Sequence, residues 1–188
     1  MVKVLKGEKS LLFARKHADA ATKEMQLVPY QTGLTFDPSR DSDSTATKSG
    51  SVNTTSSVET DLEVNFLNNT SEVSDMLLQA LFDGTEMDME IVRTDRQNDD
   101  GKYEAWYMQG SVSEDSNDND ADDSSTRDVT FAVDGTPKHG WTAFTPDQQA
   151  DVDYLFKGLT AVTGDDKDGG GTAWTDTDNG KSVEPSGK

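Results

Sequence analysis

Between Val58 and Val112 the spacing of apolar side chains changes twice, and this alternation limits the fold more than any other stretch of the chain. Val58, Leu62, Val64 and Phe66 fall on one side of a period-two pattern, with Glu59, Asp61, Glu63 and Asn65 on the other. The period then lengthens. Val73, Met76, Leu77, Ala80 and Leu81 follow the i, i+3, i+4, i+7 rhythm of one helical stripe. Ser71 is placed to cap the first amides, Glu72 and Asp75 suit the positive end of the helix dipole, and Gly84 supplies a stop. Period two returns at Met87, Met89 and Ile91, which alternate with Glu86, Asp88 and Glu90. Each strand thus has a greasy face and an acidic face, and the greasy faces are expected to meet the helix and a second sheet.

Composition restricts how such a core can be stabilised. Leu, Ile, Val and Phe together supply 34 of 188 residues, about 18%, a level at which highly charged chains tend to disorder. The net charge of -19 adds self-repulsion. Clear strand patterning in so lean a chain implies that burial against other copies or partners supplies part of the stability. Such acidity argues against attraction to nucleic acid, which needs basic side chains, although it permits repulsion of DNA. The chain has no cysteine, which removes disulfides, thiolate metal sites and thiol nucleophiles. Its first residues lack the apolar run of a signal peptide and no stretch is apolar enough for a membrane helix, so the expected setting is soluble and cytoplasmic.

The first 24 residues are the one net-basic region, with Lys3, Lys6, Lys9, Arg15, Lys16 and Lys23 against Glu8, Asp19 and Glu24. Short strands are expected at Leu11–Ala14 and Met25–Gln31, the latter at an edge or bulge because of Pro29. From Gly33 to Ser57 the chain is Ser-, Thr-, Asp- and Gly-rich and is expected to be a long polar loop. A charged loop at Thr94–Lys102 closes on the turn Asp99-Asp100-Gly101, and Tyr103–Met108 forms a strand buried on both faces. Residues Glu114–Asp123 carry six acids and no base. They read as a solvated acidic loop. Strand character resumes at Arg127–Val133. Texture shifts again at Pro137, which sets the expected boundary between a β domain (1–136) and a C-terminal extension (137–188). In that extension Thr145, Pro146 and Gln148 spell a capping box and a helix over 146–157, and a flexible tail with Trp174 as its bulky anchor follows Gly164.

No catalytic or metal-binding pattern is complete. Asp118, Asp120 and Asp122 open like a calcium loop, but Asp123 occupies the position that needs Gly and Val129 the position that needs a bidentate Glu. Only His17 and His139 could offer imidazole, and both read as surface residues. Gly-x-Ser-x-Gly is absent, and Gly169–Gly171 lacks the Lys and strand of a phosphate loop. No enzyme and no cofactor is expected.

The acidic faces need an explanation of their own. An ordinary wet sheet face is the plain reading. Yet ladders of like charge repel, and Glu59, Asp61, Glu63, Glu86, Asp88 and Glu90 have no Lys or Arg between them within their strands. An ordered series of segments also resembles a known family. Leu-Phe-Ala-Arg-Lys-His-Ala-Asp-Ala-Ala-Thr from Leu12, Leu-Val-Pro-Tyr-Gln-Thr from Leu27 and Ser-Arg-Asp-Ser-Asp-Ser-Thr-Ala-Thr-Lys-Ser-Gly-Ser-Val from Ser39 are its first parts. The strand Glu59–Asn65, the helix end Ala80–Gly84 and Gly101-Lys-Tyr-Glu-Ala-Trp-Tyr-Met-Gln-Gly110 complete it. Over about residues 10–135 the chain is similar to the major tail proteins that build the tail tube of long, non-contractile-tailed bacteriophages.

That resemblance implies a mainly β, sandwich- or barrel-like fold with one flanking helix, assembled as hexameric rings stacked into a hollow tube in the virion. It implies a structural protein with itself, a tape-measure protein, and tail terminator and distal tail proteins as partners, and with DNA only in transit. On this expectation the six carboxylates named above line the lumen. Self-association is expected to involve Lys3, Lys6 and Lys9 of the basic segment and Arg40, Asp41, Asp43, Lys48 and Val52 of the polar stretch. An acidic β-rich binding module, such as an adhesin or calcium-responsive surface protein, is the competing expectation.

Overall fold

A computed structural model describes residues 4–152 of the chain, which divides into two compact units, Met1–Phe144 and Thr145–Lys188. Lys3, the end of the expected helix beyond Val152, and the tail with Trp174 lie outside the described residues.

The first unit is an antiparallel sheet with one helix against it. Its strands are β1 (Ser10–Lys16), β2 (Gln26–Leu27), β3 (Gln31–Ser39), β6 (Glu59–Leu67), β7 (Glu86–Gln97), β8 (Tyr103–Asp118), β9 (Thr126–Val133) and β10 (Lys138–Thr142). They are ordered β2-β1-β7-β8-β9-β6-β3, with β10 also on β8. β4 (Ser42–Thr47) and β5 (Gly50–Thr55) form a separate hairpin.

β8 is long enough to serve two neighbourhoods. Its first half pairs with β7 on one edge and β10 on the other, and its second half pairs with β9. Gly110 marks the handover, opposite Met87 on one side and Val133 on the other. A Cβ on Gly110 would lie 2.1 Å from the Ala132 carbonyl oxygen, so only glycine fits. At the far end the sheet curls back on itself. The Gln31 side chain donates to the Leu12 and Val28 carbonyls (3.0 and 2.8 Å) and accepts from the Leu12 amide (3.0 Å), tying the start of β3 to β1.

The inward side chains are the period-two residues. Leu62, Val64, Phe66, Met87, Met89, Met108 and Val129 are almost wholly buried, and Val73, Leu77 and Ala80 of α1 (Glu72–Asp83) close over them. Each fully buried Leu or Met contributes about 1.5–3 kcal/mol. The helix ends as its sequence dictates: Ser71 Oγ accepts from the Ser74 amide (3.2 Å), and Gly84 adopts the left-handed conformation at φ 62°.

Two polar stretches depart from expectation. Gly33–Ser57 is not a loop: Leu34 and Phe36 pack toward the core from β3, and the remainder folds into the β4–β5 hairpin, every residue of which is exposed. Thr-rich composition suits a strand as well as a loop, and the pairing of β3 with β6 is nonlocal. Glu114–Asp118 likewise continues β8, leaving a shorter turn from Asn119 to Ser125. A bulge between Val112 and Glu114 shifts the alternation, so Asp115 faces inward. There its carboxylate is fully buried against Arg127. β7 also runs further than expected, through Thr94 to Gln97, before the turn at Gly101.

In the second unit, α2 (Pro146–Val152) carries the expected capping box: the Thr145 amide donates to Gln148 Oε1 (2.9 Å) and the Gln148 amide to Thr145 Oγ1 (3.3 Å).

Candidate functional site

Register places the outward residues of β3, β6, β9 and the second half of β8 in rows. Asp37 lies opposite Asp61, then Ala132, Ser111 and finally Glu86 on β7. The next row runs Thr35, Glu63, Thr130, Glu114, and the one after it Gly33, Asn65, Asp128, Ser116. Ser39 faces Glu59, and Thr126 faces Asp118. No Lys or Arg points outward from these four strands, because Arg127, the one base in them, is buried on the inner side.

Such a surface costs energy in an isolated subunit. A like-charge pair directly across a ladder, as in Asp37 and Asp61, is unfavourable by roughly 0.2–1 kcal/mol. In the neighbouring rows Asn65 offsets part of the repulsion, donating to Glu63 Oε1 and Asp128 Oδ1 (both 2.7 Å). Toward a polyanion the face is purely repulsive, over a screening length of about 8 Å in physiological salt.

The six expected carboxylates separate into two environments. Glu59, Asp61 and Glu86 are exposed and Glu63 half-buried, all on this face. Asp88 and Glu90 are farther along the outer side of β7, where the protein covers them. Asp88 is 1% exposed and receives Arg15 Nε (2.9 Å), His17 Nδ1 (2.7 Å), the Tyr107 hydroxyl (2.8 Å) and Gln109 Nε2 (3.3 Å). Burial pushes its pKa up, but these hydrogen bonds outweigh burial and hold the carboxyl below its ordinary value. The same contact raises His17 above its usual pKa, and burial together with Asp88 lifts the Tyr107 phenol to about 12. Glu90 is half-buried, and loss of water raises its pKa. Nearby Phe144 packs on Phe13 and Tyr103, with ring centroids 5.4 and 4.8 Å apart, and seals this half of the outer surface.

Asp37, Glu114, Asp118 and Asp128 belong to the acidic face but escape strand-by-strand reading. Asp37 sits in the polar stretch expected to be a loop, and its strand character comes from pairing with β6. Glu114 and Asp118 sit in an acid run that resembles a loop. His17 and His139 are half-exposed but bonded: His139 Nε2 lies 2.8 Å from Glu104 Oε1, and its ring stacks on Trp106.

The residues expected to associate with other copies occupy two projections. Arg40, Asp41, Asp43, Lys48 and Val52 are all exposed on or beside the β4–β5 hairpin. In the basic segment, Lys6 Nζ reaches Glu8 (3.4 Å) and Lys9 lends its carbonyl to Thr94. Among the described residues no group of three or more His, Asp or Glu side chains could hold a metal ion, and no helix is long and apolar enough to cross a membrane.

The sequence pattern of the phage tail tube protein family matches residues 4–139. In solved structures the fold is similar to a subunit of the SPP1 tail tube, with TM-score 0.64 and 15% identity over 87% of this chain and 97% of that one. A chain from the tail of an empty gene transfer agent particle, described with C6 symmetry, follows at TM-score 0.52 and 11% identity over 74% of this chain and 100% of that one. A chain from the sheath-tube complex of an extracellular contractile injection system gives TM-score 0.53 and 13% identity over 74% and 93%. No curated protein sequence matches the chain.

Proposed function

The chain belongs to the phage tail tube protein family, and on that premise we propose that it polymerises as stacked hexameric rings whose bore is lined by the outward face of β3, β6, β9 and the second half of β8. As a tail tube protein it is a structural component of the virion tail. The tube is a conduit through which DNA leaves the particle, and the wall repels the phosphates that pass it.

One observation carries this reading: the acid-only face belongs to a four-strand segment with both edges open. β3 ends the strand order, and beyond Ser111 β8 has β9 on one side and no strand on the other among the described residues. Four antiparallel strands put β3 and β8 in opposite directions. An edge-to-edge joint between β3 of one copy and β8 of the next is therefore antiparallel again, and closing the ring leaves no free edge. Sixfold closure is in keeping with the symmetry described for the gene transfer agent tail. Charge supports the orientation, because eight carboxylates turned to the bore keep DNA moving, whereas outside they would serve no evident purpose.

In this reading the lean core is sufficient because ring closure buries what the monomer leaves open. A tape-measure protein occupies the bore during assembly, and terminator and distal tail proteins close its ends. Electron microscopy of the purified chain tests it. Tubes or stacked rings are the expected result; a stable monomer whose melting temperature climbs steeply with calcium would point to the binding module instead.

A further inference from the structure

We propose that His17 is a proton-dependent docking group for a second copy of this chain, its imidazolium favouring the strand joint that closes the ring. This deepens the tube reading and rests on it. The position of the ring follows from register. β1 pairs with β7 through Arg15 opposite Asp88 and Lys16 opposite Met87, so one further residue brings His17 level with Glu86. Glu86 in turn faces Ser111, the last residue of β8 that β7 covers. The outward row Asp37, Asp61, Ala132, Ser111, Glu86 therefore ends on a histidine.

Strand direction fixes what arrives there. β7 and the β3 of a second copy both run antiparallel to β8 along the same edge, so the end of the incoming β3 meets the start of β7. Glu86 is that start. The incoming end carries Asp37, then Arg40 and Asp41 just past Ser39, two acids against one base. With His17 neutral, Glu86 faces a net-negative segment and opposes the joint. With His17 charged, the imidazolium offsets Glu86 and attracts the segment.

Among the described residues, the groups around His17 leave it as the variable charge of this corner. On β7, the buried Asp88 carboxylate lies 2.7 Å from Nδ1 and keeps a hydrogen there, so the proton that comes and goes is on Nε2. On β1, Arg15 is bound to Asp88 (2.9 Å) and Lys16 adds a second cation. On β8, the Tyr107 phenol is pushed up to about 12, and in the turn after β1 Asp19 is paired with Lys23 (3.5 Å). The His17 ring is 43% exposed, and its pKa is raised by Asp88 first, with Glu86 adding to the rise. Its charge is complete below 6.5 and is lost as pH climbs through the raised value.

Sedimentation of assembled material against pH tests this on the full chain. The critical concentration for tubes is expected to be about fivefold higher at pH 9 than at pH 6, the scale of one exposed ion pair, with the ratio shrinking at high salt. His17→Arg is expected to hold the low value at both pH values and His17→Gln the high one. Glu86→Gln leaves every Asp88 contact in place and is expected to bring the ratio below about twofold. His139→Gln, which removes the only other histidine, is expected to keep the ratio unchanged. Each variant is compared at a temperature where circular dichroism shows its monomer folded. A folded His17→Gln chain that keeps the full pH dependence, or an unmodified chain with one critical concentration at both pH values, would overturn the docking role and leave the tube reading intact. An unmodified chain that forms neither tubes nor rings at either pH would overturn both.

Discussion

Arg127 and Asp115 meet as a two-pronged ion pair inside the sheet, both guanidinium Nε and Nη2 engaging the carboxylate, with neither side chain more than 3% exposed. Arg127 Nη1 extends to the Ser74 carbonyl (2.9 Å) and hydroxyl (2.6 Å), so one side chain clamps α1 to β8 and β9. The pair exists because the bulge after Val112 turns Asp115 inward, opposite Val129 and diagonal to Arg127, the one base of these strands.

Removing one partner leaves a buried charge unmatched. Arg127→Met is therefore expected to destabilise the subunit by about 3–5 kcal/mol, and a second change, Asp115→Leu, to recover much of that loss. Urea unfolding of the three variants measures it; a single variant costing less than the double would contradict the ion-pair account.

The Asp88 cluster gives stability a pH dependence with two limbs. Asp88 has its pKa lowered from 3.8, so its contribution is present above that value and is lost as pH falls through the folded pKa. His17 has its pKa raised from 6.5, so its contribution is complete below 6.5 and is lost as pH rises through the folded pKa. Stability from this cluster is greatest between roughly pH 4 and 6.5. His17→Gln is expected to remove the alkaline limb from a melting-temperature profile and leave the acid limb. A profile of His17→Gln that still declines above pH 6.5 to the same extent would assign that limb elsewhere.

Much of this was legible where the signal is local. Ser71, Gly84, Thr145 and Gln148 name helix ends with their neighbours alone, and the alternation around Met89 fixes its strand's inner face. The misreadings share a physical cause. Asp37 lies in a Ser- and Asp-rich run whose strand character comes from pairing with β6, a nonlocal partner. Asp88 looks like its neighbours Glu86 and Glu90 until β1 brings Arg15 and His17 over it. Asp115 changes sides because of one extra residue in β8.

Gly110 is expected to accept no side chain. Gly110→Ala would drive a methyl into the Ala132 carbonyl where β8 changes partner, with a cost at the upper end of overpacking, about 3 kcal/mol or more. Thermal melting reads it directly, and a loss below about 0.5 kcal/mol would show that the close approach of β8 and β9 relaxes easily.

Neutralising the acidic face should stabilise the lone subunit. Asp37→Asn with Asp61→Asn removes a facing like-charge pair and is expected to raise the melting temperature at low salt, with the gain shrinking as ionic strength rises. Equal gains at all salt concentrations would mean that repulsion is not the cause. In tubes, Asp61→Lys with Glu63→Lys is expected to make short DNA co-sediment, which the unmodified tube should exclude.

The orientation of the four-strand face is tested most directly by a cryo-EM reconstruction of assembled tubes at side-chain resolution. Glu59, Asp61, Glu63, Asp37 and Glu114 are expected on the bore, with β3 of each copy hydrogen-bonded to β8 of the next. Finding those carboxylates on the outer surface, or buried in a contact between subunits, would contradict that orientation.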